Sequence, residues 1–234
     1  MRNFFEFSGK RSSEFHFYIS GSGTFGSPEK EITTIIVPGR NGELVIDKKR
    51  FSNISLQYPA FVISDFENNR NNLQAFLSSQ SGYQKLCDTY HPNYFRMAYF
   101  KGPIEFDMRA LNRSGETTIE FICKPEKFLY SGEKWFDFSA DGNITNPTLF
   151  SSFPILEIYP GSGSLEISGK VLNVNNLSEK AIVNCEIEDA VGENMVGNLN
   201  QYFSGEFPKI NPGKNGIKIS GSISVRIKPR WWSI

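Results

Sequence analysis

IEFDMRALNRSGETTIEFICKP, residues 104–125, decides the fold. Ile104, Phe106 and Met108 alternate with polar residues. A turn at residues 112–115 follows, and residues 117–123 return as a second strand. Period-two alternation in a run rich in β-branched and aromatic side chains is the mark of a strand with one face in a core. Lys124 and Pro125 then stop the ladder, because proline has no N–H to give a neighbouring strand.

Toward the N-terminus the same pattern recurs. Residues 83–88, 94–101 and 53–63 read as strands. Residues 14–20 read as another, with Phe15, Phe17 and Ile19 on one face. A Gly/Ser loop over residues 21–28 leads to a strand over 31–37. PGRNG at 38–42 is a concentrated turn, since proline fixes φ while Gly and Asn tolerate positive φ. The chain returns over 43–47, which predicts a hairpin or protruding loop. One segment breaks the period. Phe66, Leu73, Phe76 and Leu77 recur at helical intervals, with Ser64 and Glu67 at capping-box spacing. This predicts a single main helix over 65–79, ending near Gly82.

Toward the C-terminus, residues 126–147 are mixed and turn-rich, which places a domain boundary near residue 130. The expected domains are 1–130 and 131–234. Beyond the boundary no helical pattern occurs. Residues 154–159, 164–168, 170–175, 181–188 and 216–227 read as strands separated by Pro, Gly and Asn turns. That spacing suggests a two-sheet sandwich or jelly roll, so the chain as a whole is mainly β.

The 234 residues are 39% hydrophobic and 21% charged, enough apolar material for packed cores and too little charge for disorder. Lys plus Arg equals Asp plus Glu, whereas wrapping nucleic acid calls for a basic excess. Cys87, Cys123 and Cys185 are odd in number and in no paired spacing. They read as free thiols in a reducing compartment. The N-terminus lacks a signal-peptide run, and no stretch is long and apolar enough for a membrane helix. The sequons at Asn53, Asn112, Asn143 and Asn176 are then chance matches.

Motifs for chemistry are weak. GSGTFG at 21–26 matches GxGxxG, with Asp47 downstream, but Pro28 and a β-rich run follow where a dinucleotide site needs a helix. It reads as a loop. His16 falls in a strand pattern and His91 in a turn before Pro92. Two isolated histidines without HExxH or paired cysteines predict no metal site. No GxSxG elbow occurs. Glu186, Glu188 and Asp189 read as solvated charge where a strand meets a turn. No catalytic residue and no cofactor are expected. Of the adjacent Trp231 and Trp232, one faces inward and the other lies exposed or at an interface.

Several segments, taken in order, resemble the distal tail protein (Dit) family of siphophages. They are VPGRNGEL at 37–44, the helix after a strand, FICKP at 121–125, NP at 146–147 and FP at 153–154. FPKINPGKN at 207–215, ISG at 219–221 and the ending at 225–232 complete the set. The resemblance implies an N-terminal domain like tail-tube folds, a β-barrel or sandwich with one helix, and a galectin-like C-terminal β-sandwich. It implies a six-membered ring, single or stacked on a second, at the phage tail tip, assembled in the host cytoplasm. Such a ring joins the tail tube to the tail-associated lysin or fibre and to receptor-binding components. DNA passes its channel without specific binding, and no membrane, cofactor or catalysis is involved. Ring contacts are expected in residues 1–130, with Arg40 as the candidate assembly contact, because a planar guanidinium suits interface carboxylates. The alternative is a carbohydrate-binding module that uses exposed aromatics such as Trp231 or Trp232.

Overall fold

The computed structural model describes residues 2–21, 26–109, 114–194 and 196–234. Parts of the expected loop at 21–28 and of the turn at 112–115 lie outside the described residues. The chain divides into two compact units, Met1–Lys127 with Ile234, and Phe128–Ser233.

The first unit contains β1 (Phe5–Phe7), β2 (Lys10–Arg11), β3 (Phe17–Ile19), β4 (Lys30–Ile36), β5 (Glu43–Phe51) and β6 (Ile54–Val62). Helix α1 (Phe66–Ser79) follows, then β7 (Gln84–Asp88), β8 (Tyr94–Phe100), β9 (Phe106–Arg109) and β10 (Ser114–Cys123). One antiparallel sheet runs in the order β2-β1-β7-β8-β10-β6-β3, with β9 added along β10. Its spine is the β6–β10 ladder, from Gly115 opposite Val62 to Cys123 opposite Ile54. The alternation read from the sequence is real here. Ile54, Leu56, Tyr58, Ala60 and Val62 are buried on one strand, Ile119, Phe121 and Cys123 on the other. Phe66, Leu73 and Leu77 of α1 complete this core. Aromatic rings hold its centre: Phe121 lies 4.9 Å from Phe7 and 5.3 Å from Phe5.

Three local readings need correction. Residues 14–20 are not one strand. Ser12–Phe15 forms a 3₁₀ turn, and His16 is left-handed at φ +56°. Buried Ser12 ties this corner: its hydroxyl donates to the Phe17 carbonyl at 3.0 Å and accepts from the Phe5 N–H at 3.3 Å. Phe15 is accordingly only partly buried. The N-cap of α1 is Asp65 at φ +44°, not a Ser64–Glu67 capping box. Asn69 takes over the tie, donating to the Ser64 carbonyl at 2.8 Å. Thirdly, β1 pairs with β7 close to the N-terminus, a strand that the sequence reading did not contain.

Strand β11 (Lys127–Leu129) spans the boundary. The second unit then holds β12 (Phe136–Phe138), β13 (Gly142–Asn146), β14 (Ile155–Ile158), β15 (Gly161–Ile167), β16 (Lys170–Leu177) and β17 (Ala181–Asn184). β18 (Asp189–Gly192), β19 (Phe203–Gly205), β20 (Gly213–Gly221), β21 (Val225–Lys228) and β22 (Trp232–Ser233) complete it. Two five-stranded antiparallel sheets form, β12-β21-β14-β17-β18 and β13-β20-β15-β16-β19. Their inward residues make one core, including Leu156, Ile158, Leu165, Leu172, Val183, Ile227 and Trp231.

The predicted strand at 181–188 stops at Asn184, and residues 185–188 turn the chain back into β18. Asn184 accepts the Glu186 N–H at 3.0 Å, and Glu188 sits at φ +55°. The predicted run at 216–227 is likewise two strands, β20 and β21, one in each sheet. Strands β12 and β13 fall in the stretch read as turn-rich. Short 3₁₀ turns at Tyr130–Glu133 and Asn200–Tyr202 interrupt the strands. Among the described residues no helix is long and apolar enough to cross a membrane.

Candidate assembly surface

Among the described residues, the β4–β5 hairpin contributes no side chain to the core of the first unit. These strands form a two-stranded sheet of their own. The turn works as the sequence suggests: Gly39 and Gly42 adopt φ +79° and +80°, and the Arg40 N–H reaches the Val37 carbonyl at 3.2 Å. The base is clipped by charge. Lys30 meets Asp47 at 2.7 Å, and Arg50 meets Glu31 at 2.7 Å. Asp47 also accepts the Lys49 N–H at 2.8 Å. Its carboxyl is held below the usual carboxylate range by the Lys30 ammonium first and this N–H second.

Between base and tip the hairpin is apolar and uncovered. Directly opposed residues share a face. Thr33 with Ile46 and Ile35 with Leu44 mark one face; Thr34 with Val45 and Ile36 with Glu43 mark the other. Ile36 is 76% exposed and Val45 57%, and Ile32, Ile35, Leu44 and Ile46 are exposed too. A lone two-stranded ribbon is marginal in water, and contiguous exposed apolar surface marks an interaction site. Arg40 sits at the exposed tip with no ion pair among the described residues.

The other sequence candidates scatter. Asp88 gathers His91: the imidazole Nδ1 lies 3.1 Å from Oδ1, which also accepts the N–H groups of Tyr90 and His91 at 2.8 and 2.9 Å. His16 is exposed at the left-handed corner described above. The two histidines therefore sit in different local structures, and among the described residues no cluster of three His, Cys, Asp or Glu has metal-site geometry. Cys123 and Cys185 are buried free thiols; burial pushes Cys123 up to about 12 and raises Cys185 as well. Glu186 pairs with Arg230 at 2.8 Å, and Asp189 accepts from the Asn200 amide at 2.8 Å. Both acids are held in side-chain ties within the second unit. The GxGxxG stretch at 21–26 lies largely outside the described residues, at 22–25.

Trp231 is core, 3% exposed, with Gly132 packed so closely that a Cβ there would strike the Trp231 backbone. Trp232 is half-buried. It stacks on Phe150 with centroids 4.4 Å apart, and its indole N–H donates to the Ser151 carbonyl at 2.9 Å. Of the two tryptophans only Trp232 keeps accessible surface of any size, and its stacking on Phe150 covers part of that.

No protein-family model matches the sequence, and no curated protein does. Solved structures do match in fold. The crystal structure of the Dit protein (gp 19.1) of phage SPP1 superposes with a TM-score of 0.75 over 100% of both chains, at 14% identity. That protein is described as a paradigm of the hub adsorption apparatus in phages infecting Gram-positive bacteria. The phage p2 baseplate in its activated conformation matches with a TM-score of 0.53, covering 98% of this chain and 99% of that one at 8% identity. The mainly β architecture is thus similar in fold to the SPP1 Dit protein over its whole length.

Proposed function

We propose that this chain is a structural hub of a bacteriophage tail tip, self-assembling into a ring through the β4–β5 hairpin. The observation that carries this reading is the exposure of the apolar side chains on both faces of the hairpin, Ile35, Leu44 and Ile46 on one and Ile32, Ile36 and Val45 on the other. A second copy of the chain is the occupant that a ring supplies, since head-to-tail contacts repeat one pair of surfaces around a closed circle. The full-length fold likeness to a phage hub protein supports the same role, and the sequence resemblance sets the expected number of copies at six. In this role the ring links the tail tube to the lysin or fibre and to receptor-binding components, and belongs to the virion.

The test is the mass of the purified full chain by light scattering, beside a variant whose residues 31–50 are replaced by a short Gly/Ser linker. A discrete multiple of the chain mass that collapses to monomer in the variant supports the reading. A parent chain that stays monomeric at every concentration overturns it. The role needs no catalysis; turnover of peptidoglycan or polysaccharide lost on changing a single Glu or Asp would overturn that part. For the competing reading, a carbohydrate-binding module, Trp231 is in the core and Trp232 is partly covered by its stack on Phe150.

A further inference from the structure

A cavity of about 340 Å³ opens in the first unit beside β6, β7 and β8, lined also by Gly26 and Ser27 ahead of β4 and by Ile234. Leu56, Leu86, Tyr58 and Tyr94 wall it, and Arg96 and Lys127 bring two cations to it. Neither cation forms an ion pair among the described residues. Arg96 spends one guanidinium nitrogen on backbone, donating to the Pro125 carbonyl at 2.9 Å and the Lys124 carbonyl at 3.4 Å. The Lys127 ammonium lies 5.4 Å above the Tyr94 ring.

Asp88 also lines the cavity, yet its charge is committed elsewhere. Its side chain is 7% exposed. Its oxygens already accept the Tyr58 hydroxyl at 2.7 Å and the backbone N–H groups of Tyr90 and His91, with the His91 ring alongside. The charge of Glu126 raises Arg96, but the two form no ion pair among the described residues. Burial lowers Arg96 first of all; it also lowers Lys127, whose second cause is the charge of Arg96 itself. Two half-buried cations without a paired anion are costly. A planar guanidinium beside an ammonium is the arrangement that grips a carboxylate. Apolar walls with a few convergent polar groups are how small-molecule pockets are built.

We propose that this cavity binds an organic carboxylate with an apolar body, its carboxylate on Arg96 and Lys127 and its body against Leu56, Leu86 and Tyr94. The ligand is either a free acid or a carboxylate borne on a protein segment.

The full chain is titrated by calorimetry with benzoate and with its neutral isostere benzamide. N-acetylphenylalanine and its amide form a second pair, standing for a carboxylate on a peptide. Saturable binding of at least one acid is expected, with the matching amide weaker by about tenfold, the equivalent of about 1.4 kcal/mol. Tighter binding of N-acetylphenylalanine points to a protein-borne carboxylate, and tighter binding of benzoate to a free acid; both support the site. Arg96→Gln should weaken the acid about tenfold. Because that change also removes the donors to the Pro125 and Lys124 carbonyls, Lys127→Gln is the companion variant, expected to weaken binding while leaving the thermal melt in place. The proposal fails if neither acid saturates below about 10 mM, if amide and acid bind alike, or if Lys127→Gln binds as the parent does.

Discussion

The phenol of Tyr58 donates a 2.7 Å hydrogen bond to Oδ2 of Asp88 from within the core of the first unit. Tyr58 is 1% exposed, and its pKa is raised well above the ordinary value, by burial first and by the Asp88 charge second. The sign of the pH effect follows. Below about pH 10 the phenol is neutral in folded and unfolded chains alike, and its contribution is fully present. As pH rises past that point the unfolded phenol ionises and the folded one resists, so stability falls. Urea melts at pH 9 and pH 11 should show this loss. Tyr58→Phe should flatten part of the alkaline slope while costing about 1 kcal/mol at neutral pH through the lost hydrogen bond. An unchanged slope in the variant would mean that other groups set it.

Gly115 and Phe66 share one small volume. A Cβ on Gly115 would run into the Phe66 ring, so the first turn of α1 can lie on β10 only where the strand has no side chain. Gly115→Ala should therefore cost about 1–3 kcal/mol by overpacking. Phe66→Leu in the same chain should restore part of that, giving a coupling energy in a double-mutant cycle. Additive losses would show that the ring can move aside.

This contact also marks the limit of what the sequence makes legible. The alternation through β6 and β10 and the helical interval from Phe66 to Leu77 are local, and both read directly. That Gly115 is the seat of Phe66, 49 positions earlier, depends on tertiary placement. The 3₁₀ corner at Ser12–Phe15 was masked by an alternation that His16 breaks with a left-handed φ, and no Gly or Pro announces it. The β17–β18 turn is similar, made by Glu188 in a conformation that favours glycine. For the assembly surface, the PGRNG turn and its apolar flanks were legible. Their exposure was not, because an apolar run on both faces reads equally as a fully buried strand.

Trp231 and Trp232 should separate cleanly on truncation. Trp231→Ala removes a buried side chain and should cost about 3–5 kcal/mol of the second unit's stability. Trp232→Ala loses the Phe150 stack and one indole hydrogen bond, at about 1–2 kcal/mol. Denaturant melts followed by circular dichroism would give both; similar losses would mean that Trp232 is more deeply integrated than its half-buried position suggests.

The apolar hairpin offers the sharpest division between folding and assembly. Ile36 and Val45 lie on the same face of the ribbon and are both exposed. The double change Ile36→Asp with Val45→Asp should leave the monomer's melt within about 0.5 kcal/mol, since surface positions away from special features tolerate substitution. Sedimentation velocity should nonetheless show the oligomer shifted toward monomer, because the charges would be buried unpaired at the contact. A melt that falls together with assembly would place the hairpin in the folding unit and not in the interface.

Arg40 then tests what kind of contact the tip makes. It projects from a turn held by Gly39 and Gly42 and pairs with no acid in its own chain among the described residues. If its guanidinium meets a carboxylate of the neighbouring copy, Arg40→Ala weakens assembly and Arg40→Lys restores it only in part, because an ammonium cannot form the two parallel hydrogen bonds of a guanidinium. Raising the salt should weaken the parent more than the Arg40→Ala variant, since only the parent retains a screened ion pair. The monomer's melt should be unchanged in both variants. If Arg40→Ala assembles as the parent does while the Ile36/Val45 change abolishes assembly, the contact is apolar along the ribbon and Arg40 is a solvated turn residue.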